Sequence, residues 1–397
     1  VKIRRTIPPT AAPLDWTDVW GGLSGVFSRE RSGQNLEEEM KELFAARSVF
    51  AVSSGKAAFA LILRALSALS PKKEVIIPAY TCFSVPSAIL KVGLKVKLCD
   101  LDPSTLDFDY KSLEEIVGEN TLCVVASHLF GRPSNLDRIN ALCRFRGIYV
   151  VEDAAQAMGG TYQGRPVGAL GDAGFFSFGR GKNLTCGSGG LILTNSAPIA
   201  AMIGKYYSGL ETPGFSESFG EFLKLFLMKV FIHPALFWFP EGLAFLKLGE
   251  TFFYEDFPIK RLSRLKRGWL RTWKRRLEAS NGDRARNASY FIKALNAKTP
   301  REGGYPYLRL PVLMDSQEQR NRLHTRSKEW GLGLSIMYPS PIHEIKEISA
   351  QFRGEEYPLA KEIAARLLAV PTHSFLSEGD KRAIADLING RVALARD

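Results

Sequence analysis

Cysteine is scarce in this chain and poorly spaced for cross-linking. There are five (Cys82, Cys99, Cys123, Cys143, Cys186), an odd number with no CxxC pair. Three lie in or beside apolar strand-like runs. A disulfide framework and a thiolate metal site are therefore excluded, and the thiols read as reduced core residues of a reducing compartment. Histidine is as sparse: five scattered residues form no metal-ligand pair. Long apolar runs are missing too. The most apolar stretch, from Phe219 to Leu248, is broken by Lys224, Lys229, His233 and two prolines. Its uninterrupted run falls well short of the ~20 residues a bilayer-spanning helix needs. No secretory pattern opens the sequence, because Val1-Lys2-Ile3-Arg4-Arg5 runs straight into polar, proline-rich sequence. A cytoplasmic location is the expectation. No internal repeat or low-complexity segment stands out.

What is present describes an ordinary globular protein. The 397 residues leave room for two domains, and 45% are apolar. The net charge of +12 is concentrated: residues 257–298 hold thirteen Lys/Arg against Glu278 and Asp283. Nucleic acid is the first partner such a run suggests. The apolar spacing argues against it. Leu262, Leu265, Trp269, Trp273 and Leu277 recur every three or four residues and predict a packed helical stripe rather than aromatics set out for base stacking. No nucleic-acid partner is expected.

Three stretches predict strand–turn–helix units of a mostly parallel sheet. Val75-Ile76-Ile77-Pro78 leads to a helix from Ser84 to Leu90. Leu122 to Ala126 leads to His128-Leu129-Phe130-Gly131. Ile148 to Glu152 ends in Asp153. Open α/β sheets bind ligands at the carboxyl ends of their strands, where Asp153 is placed. Lys182 follows Phe175-Phe176-Ser177-Phe178 and precedes the turn Gly187-Ser188-Gly189-Gly190 and the apolar run from Leu191 to Leu193. Burial there would lower its pKa toward the nucleophilic form. A lysine and an aspartate on neighbouring strand ends are the two groups that pyridoxal phosphate (PLP) chemistry requires, one to attach the cofactor and one to hold its ring nitrogen protonated. Ser53-Ser54-Gly55-Lys56-Ala57-Ala58 predicts a turn feeding a helix, whose first N–H groups suit a phosphate. Ser177 could add a hydroxyl.

These pieces together resemble the DegT/DnrJ/EryC1/StrS family of PLP-dependent sugar aminotransferases. The match rests on Ser53 to Ala58, on Glu152-Asp153-Ala154-Ala155-Gln156-Ala157, on Gly171-Asp172, and on Ser177-Phe178 with Lys182-Asn183-Leu184 and Gly187 to Gly190. Tyr338-Pro339, Pro341-Ile342-His343 and Val370-Pro371-Thr372-His373 agree with it. The resemblance covers most of the chain apart from an insert at about 205–256. It implies the aspartate-aminotransferase type of PLP-dependent transferase fold, an α/β architecture. A large domain over 1–250, with the insert, would carry the mostly parallel sheet, and a smaller α+β domain would cover 251–397. It implies a homodimer with shared active sites, an amino donor (glutamate) and a keto-sugar acceptor linked to a nucleotide. Lys182 and Asp153 become the catalytic pair. Ser54, Gly55, Lys56, Gln156, Ser177 and Arg261 become cofactor contacts, with Arg261 reaching across from the other subunit. His128, His343 and His373 fit motif positions as structural residues.

The chain departs from that pattern at three places. Cys82 stands where an aromatic residue usually stacks on the cofactor ring, with Tyr80 and Phe83 on either side; the resemblance makes Cys82 the ring contact, or, with a one-residue shift, Phe83. Ser188 replaces the usual glutamate of the glycine-rich turn. Ile259 replaces the asparagine of an Asn-x-Arg motif, of which Arg261 remains. These departures keep two alternatives open: an aminotransferase acting on a non-sugar carbonyl, and a PLP-binding scaffold without catalysis. The apolar 219–247 segment beside the basic stretch adds an expectation of peripheral contact with the inner membrane face. The competing expectation is that the insert packs on a dimer partner or lids the active site.

Overall fold

A computed structural model describes residues 3–391 apart from 13, 28–33, 247, 250, 298 and 300–303. One sheet of seven strands organises the first half: β1 (Ser48–Val52), β2 (Glu74–Pro78), β3 (Lys95–Cys99), β4 (Thr121–Ser127), β5 (Tyr149–Asp153), β6 (Ala173–Ser177) and β7 (Gly190–Thr194). Their spatial order is β1-β7-β6-β5-β4-β2-β3. Strand β7 is antiparallel to β1 and β6, and the remaining pairs are parallel. Strands β4 and β7 are buried at every position, which is why they read as continuous apolar runs. Helix Gly55–Leu69 is apolar on nearly all sides because it too is enclosed, packing on β6, β7 and the helix Ala197–Ser208.

The C-terminal part is built on the antiparallel pair β8 (Arg309–Leu313) and β9 (Leu367–Pro371). Helices Gln317–Trp330, Pro358–Arg366 and Glu378–Ile388 surround it. Helix Trp273–Ala294 joins the two parts. Trp273 and Leu277 belong to the core beneath one sheet face, whereas Ala288 and Phe291 belong to the core shared with β8 and β9. The start of the chain straps across the C-terminal elements. Ile7 donates to the Gly331 carbonyl at 2.8 Å, Arg5 pairs with Asp380 at 2.7 Å, and the His373 ring meets the Pro8 carbonyl at 2.8 Å.

The basic stretch packs as its spacing predicts, with Leu262, Leu265, Trp269, Trp273 and Leu277 all buried. It forms two helices rather than one, Arg264–Trp269 and Trp273–Ala294, with a turn between them. Part of its charge is paired with acids from elsewhere in the fold. Arg267 pairs with Glu37 at 2.6 Å, Arg276 with Asp18 at 3.5 Å, Lys260 with Glu217 at 2.7 Å, and Lys266 with Glu221. The insert contributes helix Phe215–Phe231 and the short helix Trp238–Glu241. Leu225 is buried against the core, with Phe222, Phe226 and Met228 leaning on it. Phe219, Leu223 and Leu227, spaced four apart on the same helix, stand 63%, 49% and 44% exposed. Among the described residues, no helix is long and apolar enough to cross a membrane.

Candidate active site

Because β5 and β6 run parallel, with Phe175 opposite Asp153, both deliver their carboxyl ends to one sheet edge. Asp153 closes β5 and Ser177 closes β6. The loop that follows carries Lys182 and is held from three sides. Lys182 N–H donates to the Gly179 carbonyl at 3.2 Å, and Thr10 Oγ1 donates to the Gly181 carbonyl at 2.7 Å. Gly181 has φ +76°, and a Cβ there would lie 2.2 Å from Thr10 Cγ2, so a side chain is excluded on both counts. Behind the loop, the fully buried Arg284 donates to the carbonyls of Ala11 (2.6 Å), Leu308 (2.7 Å) and Lys182 (3.5 Å).

The charges at this edge perturb one another. Burial lowers the pKa of the Lys182 amine; Cys82 and Asp153 oppose that, and Arg309 adds to it. Burial raises the Asp153 carboxyl, with Lys182, the Ala155 N–H and His128 pulling it back. Glu152, one residue earlier, follows the strand alternation to the other side. Its carboxylate accepts backbone N–H bonds from Gly168 (2.7 Å), Leu170 (2.5 Å) and Gly171 (2.8 Å) and meets His128 Nε2 at 3.1 Å. His128 Nδ1 accepts from the Ser134 N–H at 3.0 Å, so Nε2 carries the proton. His128 thus acts on Glu152, and through it on the strand that presents Asp153.

The other expected contacts gather around the same edge, with one exception. Ser54 caps helix Gly55–Leu69 by accepting from the Ala57 N–H at 3.1 Å. The Gly55 and Lys56 N–H groups precede the first intrahelical bond and face outward, while the Lys56 ammonium turns away onto the Tyr254 and Phe257 rings. A Cβ on Gly55 would lie 2.9 Å from Ser177 Cβ, so the helix start and the Ser177 hydroxyl share one concavity. Gly190 lets β7 pass equally close, since a Cβ there would sit 2.3 Å from the Ser54 carbonyl oxygen. Gln156 is locked: its amide donates to the Tyr338 hydroxyl at 2.8 Å, and its oxygen accepts from the Phe130 N–H at 3.1 Å. Phe130 takes a left-handed φ of 60° to make that bond. Cys82 lines the same cavity as Lys182, its thiol 2.9 Å from Ser84 Oγ. The exception is Arg261, whose guanidinium binds the Tyr207 and Ser208 carbonyls of its own chain at 3.2 and 2.9 Å. The set fits PLP: a backbone-and-hydroxyl cradle for a phosphate, an enclosed amine, and a buried acid facing it.

The cavity over Lys182 measures about 710 Å³. Its wall includes Met228, Ile232, Phe237 and Leu243, so the insert forms part of the cavity wall. The insert is anchored where the glycine-rich turn lacks its usual acid. Lys266 donates to Ser188 Oγ at 2.9 Å and pairs with Glu221 of the insert, which also accepts from Ser263 at 2.6 Å. Tyr338, Arg309 and Arg284 are site residues that the sequence reading did not single out; Tyr338 alone had a signal, in its Tyr-Pro motif.

Comparison with known proteins agrees with this fold. The family model described as the DegT/DnrJ/EryC1/StrS aminotransferase family matches residues 23–222 and 273–389, leaving unmatched most of the insert and the start of the basic stretch. The UDP-N-acetyl-3-dehydro-alpha-D-glucosamine 3-aminotransferase of Acidithiobacillus ferrooxidans is 28% identical over 364 residues, covering 90% of this chain and 87% of that protein. Among solved structures, Helicobacter pylori PseC, an aminotransferase of pseudaminic acid biosynthesis, superposes with TM-score 0.78 at 17% identity, covering 96% of this chain and 98% of that one. An Escherichia coli GDP-4-keto-6-deoxy-D-mannose-3-dehydratase with bound hydrated PLP superposes at TM-score 0.76 and 19% identity, covering 96% of this chain and 99% of that one. The fold therefore hosts more than one reaction. With its model matched over well more than half the sequence, this chain belongs to the DegT/DnrJ/EryC1/StrS aminotransferase family.

Proposed function

We propose that the chain is a PLP-dependent aminotransferase that moves an amino group from glutamate onto a nucleotide-linked keto sugar in glycan precursor synthesis. The observation that carries this reading is the enclosed Lys182 amine beside Asp153, within a cavity shared with Cys82 and Tyr338. Bound there, PLP supplies an electron sink for the substrate carbon that loses its proton. Lys182, its pKa depressed by burial, takes that proton on Nζ and returns it to the acceptor side. Asp153 would hold the ring nitrogen protonated. Ser54, Ser177 and the Gly55 and Lys56 amides would hold its phosphate, and Gln156, fixed by Tyr338, and Cys82 would contact its ring. Lys182 also separates this chain from the related dehydratases, which lack the attaching lysine. The substrate class rests on relatives such as the Acidithiobacillus enzyme, named for a UDP-linked keto sugar. The test is incubation with glutamate and a panel of carbonyl acceptors, reading 2-oxoglutarate and the aminated product by mass spectrometry. Turnover confined to non-sugar carbonyls overturns the substrate class, and no turnover with bound PLP favours the scaffold.

The active form we infer is a homodimer in which Arg261 of a second copy reaches the phosphate cradle, since Lys56, the cation beside the cradle in this chain, turns away onto Tyr254 and Phe257. Sedimentation equilibrium at micromolar protein checks the assembly; a monomer with full activity contradicts it. A peripheral membrane contact is a second reading, favoured by the exposed ridge of Phe219, Leu223 and Leu227 with Lys224 beside it. Sedimentation with anionic vesicles, comparing the wild-type protein with a chain in which all three ridge residues are serine, decides it. Equal supernatant fractions at low salt end that idea.

A further inference from the structure

Arg309 is a half-buried guanidinium with no carboxylate paired to it among the described residues. It opens β8 and lines the cavity that holds Lys182, Cys82 and Tyr338. One terminal nitrogen donates to Ser335 Oγ at 3.2 Å and lies 3.2 Å from Met337 Sδ. Its Nε is enclosed with no hydrogen-bond partner. The charged or titratable groups around it are Tyr80, Tyr338, Lys182, Arg284 and His373, and no carboxylate is among them. Burial depresses its pKa to about 10. Stripping water from a cation and pairing it with neutral hydroxyls is unfavourable, and the deficit is recovered when an anion arrives.

We propose that Arg309 receives a carboxylate of the amino donor, deepening the aminotransferase reading on which it rests. For Lys182 to take a proton from the donor's α-carbon, that carbon must lie at the amine, and its carboxylate is one bond away. An anion receptor is therefore needed on the wall beside Lys182. Arg309 is close enough to depress the lysine's pKa and presents the planar donor fork that a carboxylate fits. The other cations lining this cavity, Arg180 and Lys328, are exposed at its mouth and remain hydrated. A phosphate already has its own cradle on the sheet side, at Gly55 and Ser177. A keto sugar without an acid group would leave Arg309 to Ser335 and to sugar hydroxyls, so the donor and acceptor half-reactions should depend on it unequally.

The probe is glutarate, a carboxylate that cannot react, titrated calorimetrically into wild-type protein and the Arg309→Gln and Arg309→Lys variants. Loss of one charge-assisted pair is expected to weaken glutarate about 30-fold in R309Q, with partial recovery in R309K. KM for glutamate should rise in parallel while the acceptor KM stays within about threefold. Glutarate binding unchanged in R309Q, or an increase confined to the acceptor KM, overturns the assignment; the latter would place the carboxylate on the sugar. Circular dichroism confirms that each variant folds. If wild-type protein takes up no PLP yet binds glutarate through Arg309, the function reading fails while this inference stands.

Discussion

Glu152→Gln changes one atom of a buried side chain and should cost about 3–5 kcal/mol. The two carboxylate oxygens accept four donors between them: Leu170 and Gly171 N–H on Oε1, Gly168 N–H and His128 Nε2–H on Oε2. A glutamine offers one oxygen and one NH2. Either orientation therefore sets two buried donors against a third. His128 cannot yield by changing tautomer, since its Nδ1 already accepts from Ser134. Two buried donors left unsatisfied cost about 1–3 kcal/mol each, and loss of the charge weakens the bonds that survive. The pH dependence has a defined sign. His128 and the backbone amides hold the Glu152 pKa below its ordinary value, so its contribution is present above the unfolded carboxyl pKa and is lost as pH falls through the folded one. Urea unfolding followed by tryptophan fluorescence at pH 7 gives the difference directly. A variant within about 1 kcal/mol of wild type would refute the reasoning, because each hydrogen bond would then be worth less than the accepted range.

Asp153→Asn should act in the opposite way. Burial disfavours the carboxylate, and asparagine keeps an oxygen for the Ala155 N–H, so stability should hold or rise while kcat falls by about 10²–10⁴-fold; urea midpoints and steady-state rates check both halves. His373 is held neutral by donating to Pro8 and accepting from Phe375, and burial depresses its pKa to about 3. Its contribution is full above the unfolded value near 6.5 and is lost as pH falls toward 3; replacing it with glutamine should flatten the urea midpoint between pH 7 and 5. Gly190→Ala would drive a Cβ to 2.3 Å from a backbone oxygen, so a loss of about 1–3 kcal/mol is expected, together with weaker PLP uptake measured by absorbance titration.

Strands β2, β4 and β5 were legible because they are short apolar runs ending in turn residues, with Asp153 at the end of β5 and Lys182 in the loop after β6; β1 and β3 were not read. The stripe from Leu262 to Leu277 was legible for the same reason, since its period survives a turn between two helices. The fate of the adjoining cations was not. Their partners Glu37, Asp18 and Glu221 lie tens to hundreds of residues away, so nothing local in the sequence separates the paired Lys266, Arg267 and Arg276 from Arg264, Arg271, Lys274 and Arg286, which stay exposed. Arg309 was hidden likewise: in Tyr307-Leu308-Arg309-Leu310 it alternates like a solvent-facing strand residue, and it is enclosed by segments around 182 and 335. Arg284 sits in a polar-looking helix and becomes buried only when the N-terminal strap and β8 close over it. The apolar insert could be recognised as unusual from sequence, but its place as a cavity wall depends on Leu225 packing at Gly187, which has no sequence signal.

The most direct test of the central claim is to incubate the purified protein with PLP, reduce it with borohydride and map the modified peptide by mass spectrometry. The account predicts a visible absorbance band that is lost on reduction, with the pyridoxyl group on Lys182. A colourless protein that takes up no PLP, or a label carried by another lysine, would contradict it.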